Sequence, residues 1–133
     1  MIAGVKKQVK EINDRDPLTE KIIACAYRVH NELGPGFNEN IYHRALEVCL
    51  DQENLEYLTE KSFNIIFLNK NVGKLRLDLV VEDKVIVEVK AVIGNMPLLF
   101  ESQILSYLKA ASYNVGLLMN FGNRSCQIRR LMP

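Results

Sequence analysis

Two neighbouring segments constrain this chain more than any other feature. Leu75-Arg76-Leu77-Asp78-Leu79-Val80-Val81 and Val85-Ile86-Val87-Glu88-Val89-Lys90 are both strand-like, and every odd position in them is apolar. Side chains alternate between faces along a strand, so Leu75, Leu77, Leu79, Val81, Val85, Val87 and Val89 form one buried face. A slip of one residue would turn an apolar set outward, so cross-strand partners must sum to an even number. A three-residue turn, Glu82-Asp83-Lys84, meets that condition and sets Asp78 directly across from Glu88. Opposed residues carry Cβ atoms about 4.5–5.5 Å apart. Lys90 follows about 6.7 Å further along the same face.

Two carboxylates this close repel. At about 5 Å and an effective dielectric of about 20 the cost is roughly 3 kcal/mol, about two pKa units. A proton, a Lys or Arg, or a divalent cation must offset it. Arg76 and Lys90 can do so in a solvated ion-pair face of little energetic weight. A hard cation with oxygen ligands suits the pair equally well.

The 133 residues fit one domain, large enough to fold without staples. Hydrophobic residues at 48% and charged residues at 25% exclude wholesale disorder. With 17 Lys and Arg against 16 Asp and Glu there is no broad basic footprint, so any nucleic-acid contact must come from a local patch. No apolar run approaches a membrane span, and Met1–Lys7 lacks the apolar core of a signal peptide, so a soluble cytoplasmic protein is expected. Cys25, Cys49 and Cys126 show no metal or redox spacing and read as small buried thiols.

Residues 1–16 read as a polar N-terminal arm, and 17–133 as a single domain. Asp16-Pro17 marks a helix start, with Leu18, Ile22, Ala26, Val29 and Leu33 on its apolar face and Gly34-Pro35-Gly36 as its stop. A second helix begins near Asn38, with Ile41, Ala45, Val48 and Cys49 as its buried stripe. Phe63, Ile65 and Phe67 alternate as a strand, and 69–73 forms a turn. After the central strand pair, Leu98 to Ser112 is helical, with Leu98, Ile104 or Leu105, and Leu108 facing the core. Strands at Val115–Met119 and Gln127–Leu131 follow. The order α-α-β-β-β-α-β-β predicts an α/β fold, a mixed β-sheet flanked by helices.

Asp78, nine intervening residues, then Glu88-Val89-Lys90 resembles the PD-(D/E)XK nuclease motif, with Leu77 where the name has Pro. Gly36-Phe37-Asn38-Glu39-Asn40-Ile41-Tyr42 matches the GxxExxY signature. Glu101 to Lys109 is similar to that family's Gln-containing helix, and Asn120-Phe121-Gly122 to its later turn. The chain thus resembles the GxxExxY proteins, a branch of the PD-(D/E)XK superfamily, over about residues 18–131. Phe100 stands where this family more often has His.

The resemblance implies a restriction-endonuclease-like core and a metal-dependent nuclease that hydrolyses phosphodiesters in DNA or RNA with water and Mg²⁺ or Mn²⁺. It implies Asp78, Glu88 and the Val89 carbonyl as metal ligands. Glu39 is implied as a helical acid that completes the site, although a Glu in a first helical turn is also favoured by the helix dipole alone. Lys90 is implied to orient the attacking water or stabilise developing charge, and Gln103 to contact a phosphate or water. Arg76 flanks the acids and can hold a phosphate. Tyr42 and Tyr107 either stack on a base or pack in the fold. Arg124, Arg129 and Arg130 form a basic rim or a solvated surface. The alternative to a nuclease is a non-catalytic nucleic-acid-binding or protein-interaction module that keeps the fold. Homodimer formation is a further option for a chain of this size.

Overall fold

A computed structural model describes residues 16–133. The expected N-terminal arm, apart from Asp16, lies outside the described residues. Helix α1 (Pro17–Leu33) starts as the sequence predicts: the Asp16 carboxylate accepts from Thr19 N–H at 2.8 Å, and Pro17 fills the first helical position. Gly34, at φ 70°, ends it. Helix α2 (Glu39–Gln52) is capped by Asn38, which accepts from Ile41 N–H at 3.3 Å. Strands β1 (Tyr57–Phe67), β2 (Lys70–Val81) and β3 (Val85–Lys90) form an antiparallel meander. Helix α3 (Leu98–Ala111) then carries the chain across to β4 (Val115–Asn120), which runs parallel to β3, and β5 (Gln127–Leu131) closes the sheet antiparallel. The sheet order is β1-β2-β3-β4-β5. The mixed sheet and the element order are those the sequence predicts.

Helices α1 and α2 cover one face of the sheet around Ile22, Ala26, Tyr42, Leu46, Val87 and Met119. Helix α3 covers the other, where Ile104 and Leu108 meet Leu77, Val80, Ile86 and Leu118. Burial on both faces explains why β3 carries an apolar residue at an even position too, Ile86, before Glu88 and Lys90.

Several expectations shift. The buried stripe of α2 is Tyr42, Leu46, Cys49 and Leu50, while Ile41 and Val48 are exposed. Tyr42 turns the helix: its hydroxyl donates to Gly34 C=O at 2.6 Å and accepts from Phe37 N–H at 3.2 Å, so the ring enters the core with its polar atom satisfied. Leu33 and Leu98, expected inside, are exposed at helix ends. The β1–β2 turn is Leu68-Asn69, both at positive φ, so β2 begins at Lys70 rather than after Gly73.

The odd-numbered face of β2 is not continuous. Leu79 and Val81 pack beneath α1 and α2, but Leu75 and Leu77 pack with α3. The change falls at Asp78. Its expected partner on β1, Glu60, has φ 55°, and the Glu60–Asp78 pair is missing from a ladder that otherwise continues on either side.

The three cysteines are free and buried, as expected. Burial pushes the Cys25 and Cys126 thiols up, to about 12 and about 11. Among the described residues no helix is long and apolar enough to cross a membrane.

Candidate functional site

The site forms where β2 and β3 separate. Their ladder runs from Val81↔Val85 to Leu79↔Val87, around the expected three-residue turn. The next position in this register opposes Asp78 and Glu88. There the side chains take over from the carbonyls: Asp78 N–H donates to Glu88 Oε1 at 3.2 Å, and Val89 N–H donates to Asp78 Oδ2 at 2.9 Å. Backbone donors that the parting strands would leave open are thereby satisfied. Each strand holds the other's carboxylate.

Val89 and Lys90 point opposite ways along β3. The Lys90 carbonyl accepts from Phe121 N–H on the β4 side. Alternation therefore turns the Val89 carbonyl towards β2, on the same edge as its N–H and beside the acids.

Glu88 is only 8% exposed. Its carboxyl is raised from 4.5 to about 8, first by burial and second by the charge of Asp78. The Asp78 N–H and the Lys90 charge act in the other direction. Sequence spacing accounts for the second cause; the fold adds the first and larger one.

Helix α3 supplies one wall. The Lys90 ammonium lies over the Phe100 ring, 4.5 Å from its centroid. Tyr107 is half-buried, and its phenol is raised by burial and then by the Glu88 and Asp78 charges. Phe100 and Tyr107 are two turns apart on one stripe, and Gln103, also half-buried, falls between them at helical spacing. The structure thus gathers Asp78, Glu88, Val89, Lys90, Phe100 and Tyr107, and helical spacing sets Gln103 on the same α3 stripe. Phe100 is the member that residue-type reasoning passes over, because an aromatic ring signals packing unless its cation partner is known.

The remaining candidates have other surroundings. Tyr42 is fully buried and stacked on Phe121 at 4.8 Å, so it is a core residue and not a platform for a base. Arg76 alternates away from Leu75 and Leu77, so it leaves the α3 face and pairs with Glu60 at 3.4 Å instead of flanking the acids. Glu39 is exposed in the first turn of α2. Arg129 pairs with Glu101 and Arg130 with Asp16.

The donor set fits a hard divalent cation. Two carboxylates and a carbonyl edge supply only oxygen, and Mg²⁺ is commonly held by one or two carboxylates with water and phosphate completing its shell. Burial and the Asp78 charge favour a proton on Glu88, and a cation bound between the two carboxylates can take that proton's place.

No curated protein matches this sequence. Among solved structures, the crystal structure of SSO0001 superposes with a TM-score of 0.57 at 24% identity, over 71% of this chain and 50% of that one. At that identity the likeness is one of fold, and this chain spans half the length of that protein. A family model described as the PD-(D/E)XK nuclease superfamily matches residues 16–131. That match takes in the β2–β3 hairpin with its opposed acids and the α3 wall, and the chain belongs to the PD-(D/E)XK nuclease superfamily.

Proposed function

We propose that this chain is a metal-dependent nuclease of the GxxExxY branch, hydrolysing phosphodiester bonds in nucleic acid. The observation that carries the reading is the interlocked Asp78–Glu88 pair, with Glu88 buried and Lys90 two residues beyond it. Asp78, Glu88 and the Val89 carbonyl are the proposed ligands of Mg²⁺ or Mn²⁺. When bound, such a cation supplies Lewis-acid polarisation of phosphate and makes water more acidic.

The chain's own residues do the rest. Asp78 and Glu88 are held rigid by each other's backbone, so no ordering cost falls on the moment of binding. Lys90, steadied by Phe100, places a cation where negative charge grows on the phosphate oxygens. Gln103 offers an amide donor from the α3 wall, and Tyr107 a ring edge and hydroxyl at the rim. Glu39, exposed in the first turn of α2, is the proposed helical acid that acts through a water or a second cation, while Arg76 is given no part in the chemistry because it pairs with Glu60.

The test is cleavage of single- and double-stranded DNA and RNA with Mn²⁺ or Mg²⁺, beside an EDTA control. Asp78→Ala and Lys90→Ala are each expected to lose at least about 10²-fold in rate, the scale of removing a charge-stabilising or acid–base group. Equal rates for wild type and both variants would overturn the assignment. No cleavage of any substrate would move the chain to the class of binding modules that keep the fold.

A further inference from the structure

Beyond the acid pair, β1 and β2 continue without the rest of the sheet. Strand β3 covers β2 only from Leu79 to Val81, yet β1 and β2 stay paired from Ser62↔Arg76 out to Phe67↔Lys70. Residues 66–74, across both strands and the turn, are exposed without exception. This is a two-stranded ribbon, and six residues of strand give it a reach of about 20 Å. Because β2 runs antiparallel to β3, the ribbon leaves the sheet at the end where Asp78, Glu88 and Lys90 lie.

The ribbon's composition differs from that of the rest of the chain. Residues 61–77 hold Lys61, Lys70, Lys74 and Arg76 and no acid, while the other 13 cations share the chain with all 16 acids. Lys61 is drawn inward, to the Tyr113 hydroxyl and the Phe63 ring. Lys70 and Lys74 meet no acid among the described residues. At the tip, Ile66, Phe67, Leu68 and Val72 are all at least 60% exposed. An apolar cluster this exposed on a projecting sheet edge marks a contact surface.

We infer that the β1–β2 ribbon is a DNA-binding arm that enters a groove of duplex DNA, with Lys70 and Lys74 on phosphates and Phe67 and Leu68 against the bases. The inference rests on the nuclease reading and names the substrate form it takes. A two-stranded ribbon fits the major groove of B-form DNA, about 12 Å wide, whereas the major groove of an RNA duplex is too deep and narrow to admit one. A phosphate backbone complements Lys70 and Lys74, and apolar side chains at a tip find thymine methyls or a base step to press on. A second copy of the chain is the poorer occupant. Two-fold contact between identical tips would bring Lys70 and Lys74 against their own copies.

The experiment is fluorescence anisotropy of the full chain in EDTA. Its probes are a labelled duplex DNA, the matching RNA duplex and the single DNA strand, each over a salt series. Cleavage of the same DNA by wild type with Mn²⁺ runs in parallel. Duplex DNA should bind tightest. Lys70→Ala/Lys74→Ala should weaken it roughly tenfold and reduce the salt slope by about 2, one for each lysine withdrawn from a phosphate. Phe67→Ser/Leu68→Ser should weaken binding and leave the slope unchanged, because apolar packing releases no counterions. Lys21→Ala/Lys84→Ala removes the same charge from other surfaces and should bind as wild type does. If wild type cleaves DNA and both ribbon variants bind it like this control, the arm is wrong and the nuclease reading stands. Equal affinity for the RNA duplex or the single strand overturns the groove. Loss of a dimer by the tip variant, seen in light scattering, assigns the ribbon to a second copy and overturns the arm. Neither binding nor cleavage by wild type sinks both readings together.

Discussion

The Lys90 ammonium stands 4.5 Å from the centre of the Phe100 ring, a cation held over an aromatic face, and its charge is felt by the Glu88 carboxyl. The ring therefore acts on the site by positioning Lys90. Phe100→Leu keeps the apolar bulk and removes the π face. Cleavage by this variant should fall by up to about tenfold, the scale of a partly buried cation–π contact, with Mn²⁺ affinity unchanged. Phe100→Trp should keep the wild-type rate. Equal rates for Phe100→Leu and wild type would reduce the ring to a space-filler.

Glu88 ties stability to pH. Its carboxyl titrates at about 8 in the fold, against 4.5 for an ordinary Glu. Between these values the folded chain holds a proton that the unfolded chain has released. The corresponding stabilisation is complete below pH 4.5 and is lost as pH rises through about 8. In EDTA the Tm should fall across that window, and Glu88→Gln, which cannot ionise, should flatten the fall. A wild-type Tm that rises over the same range would contradict the burial of this acid.

The same proton competes with metal. Adding Mn²⁺ should raise Tm, and the increase should grow from about pH 6 to about pH 8.5 as the cation no longer has to displace a proton. Asp78→Asn should lose most of the increase. Calorimetry showing the same Mn²⁺ affinity at both pH values would remove Glu88 from the ligand set.

Tyr42 gives a prediction of the opposite kind. Tyr42→Phe keeps the ring on Phe121 and removes the hydroxyl that joins Gly34 C=O to Phe37 N–H. Urea unfolding should report a loss of about 0.5–1.5 kcal/mol for each of the two hydrogen bonds removed, the net worth of a bond whose partners water can reach. Affinity for nucleic acid should stay as in wild type. Weaker binding at unchanged stability would return Tyr42 to the substrate.

Gly122 is required by a close approach. A Cβ there would overlap the Val92 carbonyl, while Gly122 N–H donates to Asn120 Oδ1 at 3.1 Å. Asn120 is fully buried and also holds Val92 N–H at 2.9 Å. Gly122→Ala should cost at least about 2 kcal/mol by forcing these segments apart. Unchanged thermal unfolding would mean that the loop carries no such constraint.

The acid pair is legible in the sequence because two rules meet on it. Strict alternation allows only an even register, and an odd turn of three residues selects the one that opposes Asp78 and Glu88. Asp16-Pro17 is equally plain, since capping chemistry is local. What escapes depends on distant partners. The rotation of α2 turns on a Tyr42 hydroxyl bonded eight residues upstream. The break in the odd-numbered face turns on Glu60, a residue with no glycine-like signal for its positive φ. Arg76 reads as a neighbour of Asp78 by parity, and that break puts it on the other side. Lys90's aromatic partner lies across a helix whose docking no local pattern specifies.

The hairpin that opposes Asp78 and Glu88 closes over a turn of three residues, whereas the α3 wall reaches β3 only through the longer crossover that makes β3 and β4 parallel. Local pairing precedes distant pairing when loop closure is costly. The two acids can therefore meet early in folding, before Phe100, Gln103 and Tyr107 arrive. The two halves of the site are also separable in descent: substitutions on α3 can erase its chemistry one residue at a time and leave the acid hairpin, and the fold built around it, in place.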